Sequence, residues 1–265
     1  MSLEIKLKKL LILGALTGVL AGFANAVAFT LADGNAVVNG TDTDGLTNWI
    51  TDGIDDLFNQ DYYWRIGNTS GEAQVGDIGP GVITQLAANI VNVSYTHAAF
   101  RIDMYYSLIG GAAGSGTSDI GEIVRVTNLS NGALNFHLFE YDDFDINGSA
   151  GGDFASSLNS STIGQSDGPR RVTVGATPPP DSWQIAPFNG LLVSLNDATP
   201  TNLNNTGSGL GPDDLTFAMQ WDRTIQAGGS FLMSKNKRVE TVPEPATMAA
   251  LGLGLAAMVR RRAKK

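Results

Sequence analysis

The chain has 265 residues, 26 of them acidic and 17 basic, with two histidines and no cysteine. The missing thiols exclude disulfides, cysteine nucleophiles and cysteine-ligated metal, and two histidines exclude a multi-histidine centre. The cations crowd at the two ends: residues 27–245 hold 25 acidic and nine basic side chains, a net charge near −16 that argues against nucleic acid as a partner.

In chain order, Lys6, Lys8 and Lys9 precede an apolar run, 10–23, that closes in Ala24-Asn25-Ala26. These are the charged, apolar and small-residue parts of a secretory signal, with cleavage expected after Ala26 and with Ala24 and Ala26 as its small-residue positions. The alternative is an uncleaved N-terminal membrane helix; either way the middle is exported. Leu46, Trp49, Ile50, Ile54, Leu57 and Phe58 lie at helical spacing and predict one helix, weakened by Gly53.

Strand patterns dominate the rest. They are expected at 61–66, 82–95, 100–108, 122–128, 134–146, 171–176, 191–195, 215–221 and 230–234. Phe100, Ile102, Met104, Tyr106 and Leu108 share one face, with Arg101, Asp103, Tyr105 and Ser107 on the other; Leu215, Phe217, Met219 and Trp221 repeat the alternation. Glycine-rich and proline-rich turns such as GGAAGSGTSD and TPPPDS separate them. The fold class expected is all-β, an antiparallel β-sandwich of roughly ten or more strands forming one ectodomain, 27–241. The sequence carries no solenoid repeat.

The chain closes with Val242, Pro243, Glu244 and Pro245, an apolar run at 246–259, then Arg260, Arg261, Arg262, Lys264 and Lys265. As a helix the run reaches about 21 Å, short of the roughly 30 Å of bilayer hydrocarbon. The basic cluster orients it with its end on the cytoplasmic side. This order of parts resembles the PEP-CTERM sorting signal. The resemblance implies a Gram-negative bacterium, export through its inner membrane, transient anchoring, and processing by an exosortase near the Pro-Glu-Pro block before release or transfer to the cell surface. Such tails are also catalogued as an ice-binding protein C-terminal domain, a label that describes the tail and carries no ice-binding function. An ordinary C-terminal anchor is the alternative. DGIDDLFNQDYYWRIGN, LNFHLFEYDDFDING and QWDRTIQAGGSFLMSKNK also resemble segments of PEP-CTERM proteins with a β-rich ectodomain, which implies fold and export route only.

Chemical motifs are sparse. Asp143, Asp145 and Asn147, followed by Gly148, open a D-x-D-x-N-G calcium loop, alternate oxygen donors converging on one cation. The glutamate that would close it is replaced by Phe154, leaving Asp142 and Asp153 as further donors or the run as a polar turn. Asp52, Asp55, Asp56, Asp213 and Asp214 are carboxylates of the kind glycosidases use, but a sequence gives no separation between them, and solvated turns are the expected role. His97 and His137 lie in strand-like runs and read as structural. Among the aromatics, Tyr105 and one of Tyr62 or Tyr63 are spare for a sugar-stacking platform, with Tyr63 and Tyr105 the pair taken as its candidates.

The reading that follows is a non-enzymatic, exosortase-processed component of the cell surface or biofilm matrix, with no cofactor beyond calcium. Its partners are the exosortase, the export machinery and anionic exopolysaccharide bridged by divalent cations; the membrane is met through the terminal segments only. The alternatives are a carbohydrate-binding or adhesive module and, behind it, a polysaccharide hydrolase.

Overall fold

In the computed structural model, which describes residues 26–242, the alternating runs pair into two antiparallel sheets of nine strands each, packed as a sandwich. The first half of the chain supplies β1 (Ala28–Asp33), β2 (Ala36–Thr41), β3 (Gly45–Thr51), β4 (Ile54–Asp55), β5 (Asn59–Ile66), β6 (Ala73–Gln74), β7 (Val82–Ala87), β8 (Ile90–Thr96), β9 (Phe100–Gly110) and β10 (Ser118–Asn128). The second supplies β11 (Leu134–Asp143), β12 (Asp153–Asn159), β13 (Thr162–Asp167), β14 (Arg170–Thr177), β15 (Ser182–Pro187), the helix α1 (Gly190–Leu195), β16 (Leu210–Asp213), β17 (Leu215–Ile225) and β18 (Ser230–Thr241). The first sheet runs β1-β2-β3-β5-β11-β17-β15, with β4 beside β3 and β6 beside β5. The second runs β16-β12-β13-β14-β18-β10-β9-β8-β7.

Period-two burial makes the interior. The inward phase of β9, Phe100 through Leu108, meets that of β11, Phe136 and Leu138, around a knot of rings: Trp64 lies edge-on to Phe100 at 4.7 Å and Phe100 edge-on to Phe136 at 4.9 Å. Trp49, Trp221, Phe144 and Phe217 fill the remaining core.

Three expected elements are corrected. The helix expected over 46–58 is the bulged strand β3 followed by β4. Asp52 (φ 52) and Gly53 (φ 82) stand between them in the left-handed region, a two-residue Asp-Gly hairpin turn that a helix does not tolerate. The strand expected at 191–195 is the helix α1, because Leu191 and Leu195 are buried one turn apart on the same face. The expected single strand 82–95 is the hairpin β7-β8.

The outer face of the first sheet is covered in part by the strap 188–206, which carries α1. Leu191, Leu195 and Leu203 pack on Tyr63, Phe139, Tyr141 and Ala218. The buried Arg65 ties the strap down, donating to Asn202 Oδ1 at 2.8 Å and to the Thr201 carbonyl while paired with Glu72. The expected signal segment with Ala24, and the tail from Pro243 through Arg262 with its expected apolar helix, lie outside the described residues; Ala26 and Val242 are exposed at their borders. Among the described residues no helix is long and apolar enough to cross a membrane.

Candidate functional site

Four neighbouring strands of the first sheet, in the lateral order β5-β11-β17-β15, bring two phenylalanines and three aspartates to one end of the sandwich. Phe58 precedes β5, Asp143 and Asp145 close β11, Asp214 precedes β17, and Phe188 follows β15. Main-chain pairing fixes this arrangement: the Phe58 N–H donates to the Asp143 carbonyl at 3.0 Å and the Phe188 N–H to the Asp214 carbonyl at 2.8 Å. With Ala150 these side chains line an open cleft of about 230 Å³. Phe58 is 60% exposed and Phe188 39%, so both rings stand free at its sides.

Between the rings the carboxylates crowd. Oxygens of Asp143, Asp145 and Asp214 all lie within 4.8 Å of one another. Burial pushes the Asp143 carboxyl up to about 7 even though the Tyr141 hydroxyl donates to its Oδ2 at 3.1 Å, and Asp214 and Asp145 add repulsion. Asp145 and Asp214 are also raised, first by partial burial, then by Asp214 and Asp55 for the former and by Asp213 for the latter. The arrangement holds an ionisable acid raised to about 7 beside two further carboxylates, a combination suited to general acid–base chemistry.

Of the calcium set read from sequence, Asp143 and Asp145 line the cleft together, and Asn147 is not among the side chains that line it. Asn147 is exposed in the left-handed region (φ 67), its N–H donating to Asp56 Oδ1 at 3.1 Å, and Asp214 from a distant stretch joins the two aspartates as a third carboxylate. Asp153 is buried and donated to by Gln165 Nε2 at 2.6 Å. Tyr63 is not available to a sugar: it is 3% exposed beneath the strap, its hydroxyl accepting from Asn196 Nδ2 at 3.3 Å. Tyr105 is 38% exposed on the outer face of the second sheet, beside Ile90 and Ile123 in a shallow depression of about 350 Å³.

The other carboxylates have structural partners. Asp52 accepts from the N–H groups of Gly114 (2.6 Å) and Gly116 (2.7 Å), pinning the glycine-rich loop. Asp55 accepts from Trp49 N at 2.9 Å, and the buried Asp56 grips Arg170 at 2.6 and 2.5 Å. His137 Nδ1 meets Asp222 Oδ1 at 2.5 Å, and His97 stacks on Phe100 with ring centres 4.7 Å apart, as expected of structural histidines.

Sequence reasoning missed Phe58, Phe188 and Asp214 as one site because they lie far apart along the chain. A second unexpected group sits in the middle of the sandwich. Glu122 from β10, Glu140 and Asp142 from β11, and Lys235 and Lys237 from β18 are all buried there, in mutual contact. The Tyr62 hydroxyl donates to Glu122 Oε2 at 2.6 Å.

The two-sheet architecture is similar to that of several solved structures. A bacterial glucoamylase solved with acarbose superposes with TM-score 0.58 at 7% identity, over 87% of this chain and 36% of that one. A candidate aldose 1-epimerase from Escherichia coli K12 gives 0.56 at 12% identity over 82% and 100%, and a GalM/aldose epimerase homologue from C. elegans 0.55 at 8% over 83% and 100%. The expectation that the chain is not an enzyme is corrected by this likeness: the same two-sheet fold recurs in solved structures named as an aldose 1-epimerase and a glucoamylase. No curated protein matches by sequence. Residues 241–263 match the PEP-CTERM protein-sorting motif, so the chain is a PEP-CTERM domain-containing protein and an exported exosortase substrate.

Proposed function

We propose that the exported ectodomain binds an extracellular glycan in the cleft between Phe58 and Phe188 and acts on it by carboxyl acid–base chemistry. The observation that carries this reading is the lateral order aromatic, carboxylates, aromatic across four adjacent strands. At about 4.8 Å per strand the backbone positions that carry the two rings are about 14 Å apart, wider than one sugar ring, so in this reading each ring stacks on a separate unit of a chain while the acids face the linkage or anomeric centre between them. Asp143 is the proton donor, since burial raises it to about 7, and Asp145 and Asp214 supply the base and the negative field that stabilises an oxocarbenium-like centre. The sorting tail delivers this domain to the polysaccharide-rich exterior, where such substrates are found.

The test is turnover of the host's own exopolysaccharide and of simple aldoses by the purified protein, followed by reducing-end release and by anomeric proton signals. Activity lost in Asp143→Asn with the fold intact supports the reading. Binding and turnover that persist unchanged in Asp143→Asn and Asp214→Asn overturn it.

A second reading rests on the three converging carboxylates: a calcium ion held by Asp143, Asp145 and Asp214. Calcium would then raise the melting temperature by mass action on the native state, and Asp214→Asn would remove the increment. Equal melting curves in calcium and chelator would dismiss it.

A further inference from the structure

The five charged residues between the sheets are not used by the cleft, and their arrangement is that of reactants. Lys237 Nζ, fully buried, touches Asp142 Oδ1, lies 2.9 Å from Glu140 Oε1 and 3.3 Å from Glu122 Oε1. Glu140 also contacts Lys235 and so bridges the two amines. The Phe144 ring closes the site at 5.7 Å from Lys237 Nζ, and the Tyr62 ring lies 4.8 Å from Lys235 Nζ. Asp142 Oδ2 is buried without a hydrogen-bond partner among the described residues, so one of its two oxygens is held by nothing.

We propose that Lys237 and Asp142 become joined by an isopeptide bond that forms within the folded interior, with Glu140 carrying the proton. A proton passes from the Lys237 ammonium, through Glu140, to the unheld oxygen of the Asp142 carboxylate; the neutral Nζ attacks Cγ, forming the N–C bond and a tetrahedral centre. Glu140 takes a second proton from the nitrogen and returns it to the unheld Asp142 oxygen. That oxygen leaves as water, the carbonyl re-forms, and Glu140 ends as it began, a carboxylate. An ion pair becomes an amide and one water, with no oxidant and no outside reactant.

Exclusion of water from this fully buried cluster favours the condensed product over its hydrolysis. Lys235, pressed between Glu122 and Glu140, serves instead to compensate the two glutamates. The bond has a mechanical sense. β18 is the last strand before the sorting tail, and β11 belongs to the opposite sheet. A link between them ties the strand that receives any pull from a membrane-held tail to the far side of the sandwich, in a chain with no cysteine to do so.

The experiment is mass spectrometry of the purified full chain under denaturing conditions, referred to the mass calculated from the termini it carries. The expected result is a mass lower by one water, with a branched peptide joining Lys237 to Asp142. Lys237→Met should show the full mass, and Asp142→Asn should reach the same amide by losing ammonia instead. Glu140→Gln should accumulate unlinked chain. A wild-type chain of full mass, or a branch at Lys235 in place of Lys237, overturns the proposal without any variant needing to fold, and leaves the reading of the cleft untouched.

Discussion

Asp142 and Asp143 are neighbours on β11 and face opposite ways. Asp142 points between the sheets into a cluster where three carboxylates meet two lysines and the Tyr62 hydroxyl, with no exposure at all. Asp143 points to the outer end of the first sheet, into a cleft where three carboxylates meet no cation among the described residues and two phenylalanines stand free. The first group is internally neutralised almost completely, and its chemistry is spent inside the protein. The second is left unneutralised, and its surplus field is available to something from solution. A protein tolerates a cluster of like charges at a cleft when a ligand, a proton or an ion completes it.

The contrast breaks most visibly in stability. Lys235→Met removes a cation from the interior and leaves Glu122 and Glu140 undercompensated, an expected loss of about 3–5 kcal/mol, read as a lowered denaturant midpoint. Asp214→Asn in the cleft should do the opposite, gaining about 0.5 kcal/mol as repulsion falls. A Lys235→Met protein as stable as wild type would mean that the interior cluster is solvated and is no different in kind from the cleft.

How much of this was legible in the sequence follows from the range over which its signals act. Alternation in 100–108 and 215–221 located β9 and β17 and thereby the sandwich, because period-two burial is a local pattern. The interior cluster was also legible in principle: extending the inward phase of Leu134, Phe136 and Leu138 by two steps reaches Glu140 and Asp142, and that of Met233 reaches Lys235 and Lys237. A charge at an inward position marks a buried partner, yet the partner's identity depends on β18 lying beneath β11, which no local pattern states. The cleft was half visible. Asp143 and Asp145 came from a short motif, but Asp214, Phe58 and Phe188 join them only through the non-local pairing of β11 with β17 and β5. The hairpin at Asp52-Gly53 was misread because apolar residues at 46, 49, 50 and 54 suit a helix and a bulged strand alike, so turn chemistry had to arbitrate.

The pH profile sharpens the comparison further. Burial raises Asp143 and Asp153 to about 7 and Asp61 to about 8, against an ordinary value of 3.8. The folded chain therefore holds protons that the unfolded chain releases at lower pH. The stability contributed is present below about pH 4 and is lost as the pH rises through about 7 to 8. The melting temperature should fall by several degrees between about pH 5 and about pH 8.5. Asp143→Asn should flatten part of that fall, as it removes one of the titrating groups. If calcium enters the cleft it competes with the proton, so its stabilising effect should grow over the same interval; a calcium effect equal at both ends would place the ion elsewhere.

The smallest expected effect separates the two rings of the cleft from its acids. Phe58→Ala and Phe188→Ala delete exposed side chains, so neither should disturb folding beyond about 0.5 kcal/mol. If each ring stacks on its own sugar unit, each substitution costs about 0.5–1.5 kcal/mol of glycan affinity, roughly a two- to tenfold rise in Kd by titration calorimetry. Turnover of bound substrate should hold, because the rings grip the ground state and the transition state alike and leave the acid in place. The two losses should add when the substrate is a long oligosaccharide, since the rings lie apart on different strands. With a monosaccharide only one ring is engaged, and one of the two substitutions should become silent. Equal losses from both with a monosaccharide would mean that a single sugar is clamped between the rings, a narrower cleft closed by movement of Phe188 and the strap that follows it.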